Sequence, residues 1–201
     1  MKKTLTMISY TLATAIALAG CSAETGGNNM PGMNHGATSA SSSASTVGTT
    51  GEHNAADTSF ARMMIPHHAQ AVQMSDVVLA KKDIPAPVTA LAGRIRAAQG
   101  PEIEKMRGWL KAWNEPAEMS GDHIMNGMMG EEDMKKLTAS QGLEAARLFL
   151  TQMIAHHQGA VVMAQKESVD GENDDALKLG NGIVSAQEAE IKEMKELLGT
   201  L

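Results

Sequence analysis

Apolar residues recur every three to four positions over four long stretches of the chain, the pattern of amphipathic α-helices. At about 100° per residue, Phe60, Met64, His67, His68, Ala71, Met74, Ser75 and Val78 share one face of a first helix, predicted from a cap at Asp57 to about Lys82. Pro85 and Pro87 reset the chain for a second helix, from about Val88 to Trp113, whose narrow apolar face holds Ile95, Gln99, Glu102, Met106 and Leu110. A third is predicted from a Ser140 cap through about Ser168, with Phe149, Met153, His156, His157, Ala160, Met163 and Ala164 on its face. A fourth opens at Asn173 or Asp174, runs to about Leu198 and presents Ile183, Gln187, Glu190, Met194 and Leu198. Serine, aspartate and asparagine suit these starts because their side chains accept hydrogen bonds from the unpaired N–H groups of a first turn. The core-facing stripes therefore contain four histidines, two amides and two carboxylates.

The stripes are alike in pairs. Phe60–Met74 aligns with Phe149–Met163, and Ile95–Met106 with Ile183–Met194, so the chain holds two copies of one helical hairpin, at about 57–113 and 141–199. Between them lies a crossover, about 114–140, in which Glu115–Gly130 mixes Gly, Pro and Met irregularly and Glu131–Leu137 can add a short helix. The expected fold is all-α: a ferritin-like four-helix bundle of two duplicated hairpins joined by a long, Met-rich crossover, the connection such a bundle requires. Pro66 removes a backbone donor inside the first helix, so a kink is expected one turn before the histidines. The second copy has Ala155 there, which makes the two motifs inexact equivalents.

The first residues add a location. Lys2 and Lys3, a mostly apolar run from Leu5 to Leu18, and Leu18-Ala19-Gly20 before Cys21 have the layout of a secretory signal over 1–20. The run is shorter than the roughly 20 residues that span a bilayer. Cys21 is the single cysteine, which excludes a disulfide framework and a thiolate metal site and suits a lipid-bearing thiol. Acyl chains contribute about 0.8 kcal/mol per buried CH₂, so the expected setting is the cell envelope, lipid-anchored on the extracytoplasmic side of a membrane. Residues 21–56, rich in Gly, Ser, Thr, Asn and Ala, cannot bury enough surface to offset their ordering entropy and read as a tether to the 57–201 domain. Met30, Met33, His35 and His53 in or beside it are placed to hold a soft metal loosely or sit there by chance. The net charge is −6, more negative once Lys2 and Lys3 are removed, which argues against nucleic acid and for cations as partners.

An imidazole or carboxylate buried without a partner costs several kcal/mol, so the polar groups of the stripes must bond each other, water or a metal. A closed network, with Glu102 and Glu190 paired to the histidines to fix helix register, is one solution. A metal site is the other: two adjacent His pairs, each with Met64 or Met153 a turn before and Met74 or Met163 two turns on, combine neutral imidazole with thioether. That set suits copper, Cu(I) above Cu(II). Glu102, Glu190, Gln99 and Gln187 would then orient the imidazoles from behind. The crossover adds Met119, His123, Met125, Met128, Met129 and Met134, either a Cu(I)-capturing loop or methionines packed over the end of the bundle. A di-iron or di-manganese oxidase of this fold needs Glu-x-x-His on two helices, and that motif occurs nowhere in the chain. No Cys or Ser nucleophile has an evident partner and no glycine loop cradles phosphate, so binding is expected in place of catalysis.

With Met64-Ile-Pro-His67-His68, Met153-Ile-Ala-His156-His157, the Gln-x-x-Glu-Ile-x-x-Met segment after each, and Asn126-Gly127-Met128-Met129-Gly130 in the crossover, the chain resembles the domain of unknown function 305 family over about Ser59 to Leu198. The resemblance implies a ferritin-like bundle and an exported copper-binding protein linked to copper tolerance, its sites at His67, His68, His156 and His157 with the matching methionines. A copper transporter or chaperone is the partner it implies.

Overall fold

A computed structural model describes residues 51–118 and 125–201. The expected signal, Cys21, most of the tether with Met30, Met33 and His35, and Met119 and His123 of the crossover lie outside the described residues. Within them the chain is helical, without a strand: α1 (Ala55–Leu79), α2 (Ala86–Ala112), α3 (Glu131–Ala139), α4 (Gly142–Asp170) and α5 (Asp174–Thr200).

The ends differ from expectation in instructive ways. Asp57 does not cap α1. Asn54 does, its Oδ1 accepting from the Ala56 and Asp57 amides at 2.7 and 3.2 Å, while Asp57 Oδ2 accepts from the Asn54 N–H at 2.6 Å. This reciprocal box satisfies several of the amides a helix start leaves unpaired. α1 stops at Leu79, before Lys82, and Asp83 adopts a left-handed φ of 58° in the turn that leads into α2. Ser140 does not cap α4; its hydroxyl donates to the Leu137 carbonyl at 3.0 Å and closes α3 instead. α5 starts as predicted, with Asn173 Oδ1 accepting from the Ala176 amide at 3.1 Å. α1 runs through Pro66 as one continuous helix, and α2 likewise contains Pro101. Both prolines are exposed, so their rings displace no core side chain. Pro66 leaves the Arg62 carbonyl without its usual donor four residues on.

Each hairpin packs α1 on α2 and α4 on α5, and the hairpins meet chiefly through α1 and α4. The buried apolar residues form two clusters. One gathers Ala71, Met74 and Val78 with Val88, Leu91 and Ile95, and Phe149, Leu150 and Met153 with Met194. The other gathers Phe60, Met64 and Ile65 with Ile103, Met106 and Leu110, and Ala160 and Ala164 with Ile183. Repeat-equivalent residues therefore sit in opposite clusters: Phe60 and Phe149, Met64 and Met153, Met106 and Met194. Antiparallel helices related by an approximate two-fold axis produce this exchange, and the axis passes between the clusters, where both His-His motifs lie.

Candidate metal centre

The layer between the clusters is polar and buried. His67, His68, His156 and His157 are all 0% exposed, and Gln99 and Gln187 are 3% exposed. The equivalent rings of His67 and His156 meet across the axis, centroids 3.8 Å apart and planes tilted by 42°. His157 lies 6.4 Å from His156, centroid to centroid. Two of the expected outer contacts are present: His68 Nε2 to Glu102 Oε2 at 2.8 Å, and His157 Nε2 to Glu190 Oε2 at 2.7 Å. The two carboxylates are not fully buried, being 27% and 20% exposed, so each spans from the solvent edge to an interior ring.

These bonds decide tautomers. An ionised carboxylate only accepts, so in the neutral rings Nε2 of His68 and His157 carries the hydrogen and Nδ1 presents a lone pair. His67 Nε2 meets the Asn126 carbonyl at 3.2 Å, with the same consequence. Among the described residues, Nδ1 of all four histidines, Nε2 of His156, and Oε1 of Gln99 and Gln187 have no hydrogen-bond partner. Several lone pairs thus lie in a buried layer, a setting that discourages protonation. Burial pulls His67 down from 6.5 to about 4, reinforced by His68 and opposed by the Asn126 carbonyl. It pulls His156 down to about 2, reinforced by His67, His157 and His68. Both remain neutral, as metal ligands must, at any ordinary pH.

The four histidines do not close a cage. Among the described residues no three or more His, Cys, Asp and Glu side chains converge on one metal position, so further donors would have to be thioethers. Met64 and Met153, one turn before the rings, are 0% exposed, as is Met74 inside the first cluster; Met163 is half-buried against the second. In the crossover, Met129 and Met134 pack on the first cluster, while Met125 and Met128 are half-buried. His53 lies at the other end of α1, its ring stacked on Trp113 at 4.5 Å and lining an open cleft of about 630 Å³ with Arg62, Met63 and Glu115.

Two groups of residues had no counterpart in the sequence reading. One is the crossover contact at Asn126, Gly127, Gln70 and Gly159. The other is a buried acid pair, Asp57 and Glu167, at the end of the bundle where α1, α4 and α5 converge. The Asp57 carboxylate accepts from the amides of Glu172 and Asn173 at 3.1 and 3.0 Å.

The family model of the domain of unknown function DUF305 matches residues 57–198. The chain belongs to the DUF305 family. Solved members share its fold. A putative secreted DUF305 protein from Streptomyces coelicolor is 36% identical, with a TM-score of 0.69 over 72% of this chain and 93% of that one. A DUF305 fragment from Deinococcus radiodurans is 30% identical, with a TM-score of 0.67 over 75% of this chain and 100% of the fragment. CopM in its Cu(I)-bound form is 34% identical, with a TM-score of 0.60 over 72% of this chain and 96% of its own. CopM is also known in Cu(II)- and Ag-bound forms. No curated protein matches the sequence. As a DUF305 protein the chain shares its bundle with a copper- and silver-binding relative, and its His-His layer carries several ring nitrogens without a hydrogen-bond partner among the described residues.

Proposed function

We propose that this DUF305 protein binds copper, Cu(I) in preference to Cu(II), and acts in buffering or hand-over without catalysing a reaction. The supporting observation is the set of four fully buried imidazoles whose Nδ1 atoms lack partners among the described residues while three Nε2 atoms are held from outside. A network built only to fix register would leave no such surplus, because each orphaned buried acceptor costs roughly 1–3 kcal/mol. The second reading, a purely structural polar layer, draws its support from the His68–Glu102 and His157–Glu190 bonds, which hold α1 to α2 and α4 to α5. Imidazoles from His67, His68, His156 and His157 with thioethers from Met64 and Met153 form a donor set that a soft ion prefers and that needs no deprotonation at the sulfurs. Lipid on Cys21 would keep the domain at the outer side of a membrane, where it could pass copper to a transporter or chaperone.

A Cu(I) competition titration tests this reading, run beside His67→Ala/His68→Ala and His156→Ala/His157→Ala variants with Zn(II) as control. Tight uptake that falls with each double variant is expected. Uptake unchanged by both would move binding to the crossover methionines, and no uptake by the parent protein would leave the histidines as structure.

A further inference from the structure

The two His-His motifs occupy equivalent positions in the repeat, yet the described part of the crossover, residues 125–130, docks asymmetrically beside their two-fold axis. It is held there by two positions that the repeat makes equivalent and that carry opposite residues, Gln70 in α1 and Gly159 in α4. Gln70 clamps the strand through its amide: Nε2 donates to the Met129 carbonyl at 2.9 Å, and Oε1 accepts from the Met129 N–H at 2.7 Å. Gly159 admits the strand by having no side chain, since a Cβ there would lie 1.9 Å from the Asn126 carbonyl oxygen and 2.9 Å from Gly127 Cα. Gly127 in turn has φ of +84°, and a Cβ on it would lie 2.6 Å from the Ala155 carbonyl oxygen. Only glycine meets both conditions.

Fixed at both ends, the strand brings the Asn126 carbonyl to His67 Nε2 at 3.2 Å. One segment cannot serve both copies, and among the described residues neither ring nitrogen of His156 meets the crossover. We infer that Gln70 and Gly159 are positioning residues: by docking the crossover they lock His67 as its Nε2–H tautomer, with Nδ1 free for a soft metal, and make the two motifs inequivalent. The consequence for affinity rests on the copper reading above; the consequence for the tautomer does not.

The test uses the full chain and the variants Gln70→Ala and Gly159→Ala, with exposed Gln158→Ala as control. Imidazole nitrogen NMR reports the tautomer of His67, and Cu(I) competition reports affinity. The parent and Gln158→Ala should show His67 protonated at Nε2. Both dock variants should redistribute that proton and weaken Cu(I) binding about 10- to 100-fold, the range set by losing an outer partner of a metal-ligating imidazole. Gly159→Ala adds helix propensity where it removes the dock, so a loss of affinity there is not a loss of α4. An unchanged tautomer in either variant overturns the inference. So does a changed tautomer with unchanged affinity, which would leave copper binding intact. If the parent takes up no Cu(I), the copper reading fails, and the tautomer readout alone still decides whether the dock orients His67.

Discussion

Glu167 is 1% exposed, and its carboxylate is set against that of Asp57 without a backbone or side-chain N–H donor among the described residues. Burial, then the hydrogen bond and charge of Asp57, then the charge of Asp170 push it from 4.5 up to about 8. The neighbouring Asp57 moves the other way: burial raises it, but the Asn54, Asn173 and Glu172 amides and Glu167 itself together hold it below 3.8. The pair therefore shares one proton, carried by Glu167. Because the folded protein holds that proton more tightly than the unfolded chain, the stability it confers is fully present below about pH 4.5 and is lost as pH rises to about 8. At about 1.4 kcal/mol per pH unit the loss is bounded near 5 kcal/mol. Glu167 sits one turn from the end of α4, where small movements admit water, so roughly 2–3 kcal/mol is expected. Glu167→Gln keeps the shape and a donor toward Asp57 and cannot ionise. It should melt with the parent near pH 5 and roughly 5–10 °C above it at pH 8.5, at about 2–4 °C per kcal/mol for a domain of this size. Thermal unfolding by circular dichroism from pH 5 to 9 measures the difference. A gap that does not widen with pH would refute the shared proton.

Two further outcomes follow from the same geometry. His67 and His156 are lowered to about 4 and about 2, so their contribution is complete above pH 6.5 and is lost as pH falls; a His67→Leu/His156→Leu variant should flatten the decline between pH 6.5 and 4.5, which in the parent steepens by up to roughly 2.7 kcal/mol per pH unit for two protons, and an equally steep decline in both would contradict it. Asn54→Ala should cost about 1 kcal/mol or more in urea unfolding because it removes the α1 capping box and the bond from Asn54 to the Asp170 carbonyl, whereas Arg94→Ala, which breaks a half-exposed pair with Glu193, should stay within about 1 kcal/mol; the reverse order would show that the α2–α5 contact matters more than the capped end.

The helices were legible because their apolar period and their proline boundaries are local properties. Phe60 and Met64, their repeat partners Phe149 and Met153, and Val78 are buried as their period requires. Helix ends were less legible, since Asn54, Asp57 and Ser140 can each accept a helical N–H and only geometry decides which does. The His68–Glu102 and His157–Glu190 pairs could be anticipated from polar residues on opposed apolar faces. The crossover could not. Met129 and Met134 pack on the core, and no periodicity distinguishes them from methionines left free to meet metal. The signal that was available lies in the repeat alignment, where Gln70 aligns with Gly159, one of several differences between the two copies.

That mismatch explains why a duplicated sequence need not give a symmetric site. Two hairpins related by an axis bring equivalent histidines together at the axis, as the 3.8 Å approach of His67 and His156 shows. The linker joining the hairpins cannot itself obey the axis, because a single strand has one direction. Wherever it touches the bundle near the axis, equivalent positions must diverge: one loses its side chain to let backbone approach, and the other keeps a side chain able to bind backbone. Gly159 and Gln70 are those positions. The divergence reaches the rings themselves, since His67 gains the Asn126 carbonyl on Nε2 and His156 gains no bond from the described crossover residues. Duplication thus supplies paired donors, and the connection between the copies sets which ring is oriented and which stays free.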